Sequence, residues 1–268
     1  MSGTLYFVAT PIGNMGDITK RAIDTLNGVN VILCEDTRHS AKLLNLLEIK
    51  KPLQSFHKFN YAKKIPEVIN LLKEGQNIAL ITDAGTPAIS DPGAEIIEEL
   101  VKNDIKYTII PGATASINAF ILSGFKTTFT FVGFLPEQLK QKEEVLKELI
   151  NYKSALIFYS APHNLNDDIA FLFKHLGNRK LVVVRELTKM YEEILHTTLE
   201  EGYTKEPKGE FALVVEGKTD DLNELNNLTI AEHIEYYTKL KYTKNEAIKQ
   251  VAKDRNVTRQ EIYNKAIK

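Results

Sequence analysis

The segment Thr82–Gly93 constrains the fold of this 268-residue chain more than any other. An apolar run, Ile78–Ile81, precedes it and reads as a buried strand. An amphipathic run, Ala94–Val101, follows it and reads as a helix. Between them lie two Gly, two Pro and two Asp. Such a loop lets a ligand approach the backbone, because little side chain intervenes and Gly permits unusual dihedrals. Loops at the carboxyl ends of strands are where open α/β sheets bind ligands. The segment is therefore a candidate binding loop.

The same rhythm recurs along the chain. Leu5–Ala9, Val31–Cys34, Ile78–Ile81 and Tyr107–Ile110 fit strands buried on both faces of a mainly parallel sheet. Helical spacing appears at Ile65, Val68, Ile69 and Leu72, and at Ile96, Ile97, Leu100 and Val101. The alternation predicts an α/β layer fold. A second block opens with Phe129–Phe134 and continues through a charged helix over 137–150. Further strands are predicted at Ala155–Tyr159, Leu181–Arg185, Ile194–Thr198 and Phe211–Val215. The organisation expected is an α/β domain over residues 1–118, a second over 119–221, and a helical module over 222–268.

In the last segment, Thr229/Glu232, Thr243/Glu246 and Thr258/Glu261 have the spacing of capping boxes, each ahead of a helical pattern. Its excess of about three positive charges fits a helix-turn-helix-like unit touching RNA or DNA. It fits a packing or dimerisation appendage equally well. The whole chain carries a net charge of −1, which gives no global sign of nucleic-acid binding. One cysteine, Cys34, excludes an internal disulfide and a cysteine zinc cluster, and its apolar neighbours predict a buried thiol. No apolar segment reaches the length of a membrane span. The first residues lack the basic segment and long apolar core of a signal peptide, so a soluble cytoplasmic protein is expected.

Three strand ends carry unusual loops: Ala9–Asp17, Thr82–Gly93 and Pro111–Ser116. On parallel neighbours they would converge on one sheet edge and line a cleft. The chain has no phosphate-binding G-x-x-x-x-G-K-[ST] loop and no G-x-G-x-x-G after the first strand. H-E-x-x-H and G-x-S-x-G are also missing, and no metal site is expected. A cleft with few cations in its loops suits a ligand without a triphosphate. S-adenosylmethionine, with its sulfonium and ammonium, is one such ligand.

In order and spacing, these loops resemble those of the tetrapyrrole methylase family. Cys34–Arg38, Ser55–Asn60, Phe158–His163 and Gly209–Gly217 extend the likeness over most of residues 4–217, and it is strongest to the subgroup acting on ribosomal RNA. The resemblance implies two α/β domains with the cofactor in the cleft between them, S-adenosylmethionine as donor and a homodimer. It implies transfer to a cytidine ribose 2′-hydroxyl of small-subunit ribosomal RNA, free or in the small-subunit particle. Carried over by position, Pro11, Thr86, Ile89, Thr114 and Ala115 would contact the cofactor, Ala84 and Gly85 through backbone. Tyr159 and Ala212 would lie near the adenosine. The wider family has Gly-Asp-Pro where this chain has Gly85-Thr86-Pro87, which agrees with the ribosomal RNA subgroup. A second His expected two residues after His57 is replaced by Phe59.

Methyl transfer to a hydroxyl needs in-line alignment, helped by a base or a cation near the acceptor oxygen. Glu35, Arg38 and His57 are the candidate catalytic residues. Arg38 would position phosphate, Glu35 or Asp36 would orient the acceptor, and His57 would be a base. Asp36 reads better as a helix cap, and Asp83 and Asp91 as loop scaffolding. Phe56, Phe59, Tyr61 and Phe134 are candidate stacking aromatics, with Phe59 and Tyr61 the ones expected at the surface. A tetrapyrrole precursor or a protein side chain as acceptor is the competing enzymatic reading. A cofactor-binding ribosome-assembly factor without turnover is the non-enzymatic one.

Overall fold

The structure, a computed structural model, describes residues 2–89, 93–219, 222–255 and 257–266. The chain divides into two compact units, Met1–Gly217 and Lys218–Lys268.

The first unit begins with five strands, β1 (Leu5–Val8), β2 (Val31–Cys34), β3 (Leu53–Ser55), β4 (Ile78–Leu80) and β5 (Tyr107–Ile110). They form one parallel sheet in the order β3-β2-β4-β1-β5. Between and after them run helices α1 (Lys20–Gly28), α2 (Thr37–Leu46), α3 (Tyr61–Lys73), α4 (Ala94–Lys102) and α5 (Ala115–Ser123). Ile65, Val68, Ile69 and Leu72 of α3 and Ile96 and Leu100 of α4 are buried against Leu5, Phe7, Leu33 and Leu80. The other sheet face buries Val8, Ile32, Cys34 and Ile81 with Ala22 and Leu26 of α1. Burial pushes the Cys34 thiol pKa up, so it is inert packing.

Two expectations change. β3 has no Val/Ile run to announce it; three half-buried residues pair with β2 at the sheet margin. β5 is an edge strand, not a strand buried on both faces, and leaves Tyr107, Thr108 and Ile109 exposed.

A second sheet contains β6 (Phe129–Phe134), β7 (Ala155–Ser160), β8 (Lys180–Arg185), β9 (Glu193–Thr198) and β10 (Phe211–Val215), in the order β6-β7-β10-β8-β9. Only β6–β7 is parallel; β7–β10, β10–β8 and β8–β9 are antiparallel. Helices α6 (Leu139–Leu149) and α7 (Leu165–Leu176) cover one face. Helix α5 covers the other, with Ala119 buried against Ala155, Ile157, Val184 and Ala212. Residues 118 and 119 both lie within α5, which follows the first sheet in sequence and packs on the second.

The terminal unit consists of α8 (Leu222–Asn227), α9 (Ile230–Lys239), α10 (Lys244–Asp254) and α11 (Arg259–Ala266). The Thr229/Glu232 and Thr243/Glu246 boxes are complete. Thr258 Oγ1 accepts from the Glu261 N–H at 3.3 Å, the capping half of the third. Ile234, Tyr237, Ile248, Val251 and Ile262 form this unit's own core.

Candidate active site

β1 and β4 are neighbours whose onward connections run in opposite directions, to β2 and to β5. That topology opens a crevice at the carboxyl ends of the strands. The loops there are joined to one another by named hydrogen bonds. The Thr10 N–H donates to the Gly85 carbonyl at 2.9 Å, and the Gly85 N–H returns to the Thr10 carbonyl at 3.2 Å. Thr10 Oγ1 donates to the Thr82 carbonyl at 3.3 Å. Thr86 Oγ1 donates to the Ala113 carbonyl at 3.2 Å, which ties the second loop to the third. Gly85 has φ +83°, and a Cβ there would press on Ile12 at 3.2 Å. Glycine is required by both the dihedral and the space.

The loops form one wall of a cavity of about 470 Å³, within the range of small-ligand sites. Ile12, Asp83, Ala84, Gly85, Thr86 and Ile89 line it from the strand-end loops, with Thr114 and Ala115 at the start of α5. The second sheet supplies Phe134, Tyr159, Val184, Glu210, Phe211 and Ala212, together with the 160–162 turn and Leu187. Tyr159 bridges the two sides: its hydroxyl accepts from the Ser116 N–H in the first turn of α5 at 3.0 Å. Its ring packs edge-on against Phe131 and Phe134, with centroids 5.0 and 5.5 Å away.

Eight of the nine residues expected at the cofactor therefore line one cavity, and Pro11, next to Ile12, is outside the lining. Asp83 was read from sequence as scaffolding. Its Oδ1 is instead buried without a hydrogen-bond partner, in a residue that lines the cavity. Asp91 lies outside the described residues. The 160–162 turn, Leu187, Glu210 and Phe211 were missed as site residues. The turn had a usable signal, since Ser160-Ala161-Pro162 repeats the pattern of a strand running into a Pro-containing loop. Among the described lining residues the ionisable carboxylates are Asp83 and Glu210, and Lys, Arg and His do not occur. Glu210 is paired with Lys189 at 3.0 Å, so Asp83 is the carboxylate with an oxygen left unpaired.

Glu35, Arg38 and His57 are not in the lining. Glu35 follows β2, Arg38 is in the first turn of α2 and His57 follows β3, so all three sit beyond the carboxyl ends of adjacent parallel strands. Asp36 caps α2, accepting from the Arg38 N–H at 2.8 Å. That bond and the Arg38 guanidinium hold its carboxyl below its ordinary pKa. The Arg38 side chain is 91% exposed and touches Asp36 only at 3.4 Å. His57 Nδ1 accepts from the Phe59 N–H at 3.3 Å. With Nδ1 accepting, the neutral ring carries its proton on Nε2. Among the described residues no group of three or more His, Cys, Asp or Glu is gathered as a metal site. No described helix is long and apolar enough to cross a membrane.

Thr86 accounts physically for the departure from Gly-Asp-Pro. Its hydroxyl donates to a carbonyl, which an ionised carboxylate cannot do. Thr86→Asp is expected to lower stability by about 1–3 kcal/mol, and Thr86→Ser to stay near wild type, measured by denaturant unfolding.

The description Tetrapyrrole (Corrin/Porphyrin) Methylases belongs to a family model that matches residues 4–202. The chain is 46% identical to ribosomal RNA small subunit methyltransferase I of Halalkalibacterium halodurans, over 98% of this chain and 94% of that protein. It is 44% identical to the protein of the same name from Bacillus subtilis strain 168, over 97% and 93%. Among solved structures, uroporphyrin-III-C-methyltransferase from Thermus thermophilus superposes with a TM-score of 0.58 at 19% identity, over 79% of this chain and 94% of that one. At that identity the likeness speaks for the fold. The loop-lined cavity, the family match over residues 4–202 and the relatives above 40% identity agree, and the chain belongs to the tetrapyrrole methylase family.

Proposed function

We propose that this chain is an S-adenosylmethionine-dependent methyltransferase of small-subunit ribosomal RNA, with a cytidine ribose 2′-oxygen as acceptor. The observation that carries the donor assignment is the lining of the cavity. It is largely apolar, holds a carboxylate with an unpaired buried oxygen and, among the described residues, has no cation to meet a phosphate. The RNA half rests on the names of the relatives at 46% and 44% identity.

In this reading Ala84 and Gly85 offer backbone groups to the donor, and Thr86, Ile89, Thr114 and Ala115 shape its pocket with Pro11 beside them. Tyr159 and Ala212 close the adenosine side. Asp83 faces positive charge. The donor supplies an already activated methyl group, so the protein's task is alignment and care of the acceptor proton. Arg38 holds RNA phosphate, His57 donates from Nε2 to the RNA, and Glu35 orients the acceptor hydroxyl and takes its proton as the oxygen–methyl bond forms and the methyl–sulfur bond breaks, leaving the 2′-O-methyl ether and the donor's neutral thioether.

The protein acts as a cytoplasmic homodimer in this reading. Support for the dimer comes from large apolar side chains left exposed: Tyr107 and Ile109 on β5, Ile117 and Ile121 on α5, and Phe129 on β6.

The test is transfer of labelled methyl to small ribosomal subunits and to their naked RNA, followed by mass mapping of nuclease digests. A 2′-O-methylcytidine appearing only with active protein supports the reading. Donor binding without incorporation into either substrate overturns the RNA assignment.

A further inference from the structure

We propose that Phe59 is a stacking platform for an unpaired nucleobase of the substrate RNA, flanked by Lys58 and Arg38 as phosphate contacts. This rests on the ribosomal RNA reading and narrows it to single-stranded RNA at this sheet edge.

Phe59 is 85% exposed, an unusual state for a phenylalanine with a packed neighbour three residues away. Phe56 is that neighbour and is buried in the core of the first sheet. The turn between them is held firmly. Asn60 Oδ1 accepts from the His57 N–H at 2.9 Å, and Asn60 Nδ2 donates to the Ser55 carbonyl and to Ser55 Oγ, both at 3.1 Å. The Asn60 and Tyr61 N–H groups both donate to the His57 carbonyl, at 2.9 and 3.0 Å. The Phe59 N–H closes onto His57 Nδ1. The backbone that carries the exposed ring is thus held in place, which lowers the ordering cost of a contact.

Its surroundings fit nucleic acid. Lys58 Nζ stands over the ring, 5.1 Å from the centroid, and the His57 ring meets it edge-on at 6.0 Å. The exposed Arg38 guanidinium is in the first turn of α2, just beyond β2, the strand that pairs with β3 in the register Cys34↔Ser55. An aromatic face with flanking cations is how proteins hold unstacked bases and their backbone. A base inside a duplex has no free face to offer, so the contact selects single strands. The other expected aromatics do not share this setting: Phe56 is buried, Tyr61 packs against the first-sheet core, and the exposed Phe134 lines the cavity against Tyr159.

The chain has no tryptophan, so Phe59→Trp creates a single fluorophore at the site. Quenching of that fluorophore is expected with a single-stranded oligoribonucleotide of the small-subunit RNA. None is expected with the same strand in a duplex or with S-adenosylmethionine alone. Phe59→Ala is expected to raise KM for naked small-subunit RNA by about tenfold, with donor affinity unchanged and activity restored in Phe59→Trp. Unquenched fluorescence, or a Phe59→Ala protein equal to wild type while wild type methylates the RNA, overturns this inference alone. A defect confined to assembled particles assigns the ring to a ribosomal protein and overturns it too. Failure of the wild type to methylate or bind RNA overturns the underlying reading with it.

Discussion

Asp254→Ala is expected to unfold the terminal helical unit while the cavity-bearing unit stays folded. Asp254 is 9% exposed and collects three donors: Tyr237 Oη at 2.5 Å, Gln250 Nε2 at 3.1 Å and His233 Nε2 at 3.2 Å. Arg255 Nε donates to His233 Nδ1 at 3.1 Å, and its Nη2 reaches the Leu225 and Leu228 carbonyls. Removing the carboxylate leaves a phenol, an imidazole N–H and an amide unpaired, with a guanidinium close by. Breaking a buried charged group out of such a network costs about 3–5 kcal/mol. A unit of this size has about 3–8 kcal/mol in total. Limited proteolysis and amide exchange should show α9 to α11 opening, with β1 to β10 protected as before. Unchanged exchange in α9 and α10 would refute it.

The same network has a pH signature. Burial, and next the Arg255 charge, hold the His233 pKa below its ordinary value, against the pull of Asp254. The unfolded imidazole takes up a proton near pH 6.5, whereas the folded one resists until lower pH. The unfolded state therefore binds more protons below that point. The stabilisation is full above about pH 6.5 and is lost as pH falls from there towards the folded pKa. Denaturant unfolding of the terminal unit at pH 7.5 and 5.5 should show the lower midpoint at 5.5. His233→Gln should flatten the difference.

How much of this was legible in the sequence depended on what each residue's environment shares with its neighbours. Val31–Cys34 and Phe211–Val215 are buried in central strands, and their apolar runs mark them directly. Leu53–Ser55 is a margin strand of mixed residues, defined by its pairing with β2, a long-range fact. Tyr107–Ile110 has the same apolar content as a central strand, and only its place at the sheet edge exposes Tyr107 and Ile109. The site divides the same way. Glycine and proline mark Thr82–Gly93 as a candidate binding loop, because special dihedrals are local. Asp83 has no local mark: its unpaired oxygen follows from what the rest of the fold withholds from it. Likewise Phe59 is exposed as expected from sequence, whereas Tyr61 packs on the core, and the Asn60 turn that separates the buried Phe56 from the exposed Phe59 is visible only in the fold.

Asp83→Ala is expected to weaken S-adenosylmethionine binding by about 10- to 100-fold while leaving the stability of the free protein unchanged or raised. The opposite directions come from one atom. Asp83 Oδ1 is buried and unpartnered, so the free protein bears its desolvation without a compensating bond. A cationic ligand group in the cavity would supply that bond, and hydrogen bonds to charged groups contribute about 1.5–3 kcal/mol. At about 1.4 kcal/mol per tenfold this gives the stated loss of affinity. Such a residue trades stability for function. Asp83→Asn keeps the shape and an acceptor oxygen but not the charge, and should fall between. The demethylated product, which has the ammonium but no positive sulfur, then locates the partner. Equal losses for donor and product place Asp83 against the ammonium, and a larger loss for the donor places it against the sulfonium. Calorimetric titration of both ligands with a thermal melt of each variant reads all of these. A destabilised Asp83→Ala protein that binds the donor as wild type does would make Asp83 the loop scaffold that its sequence context suggested.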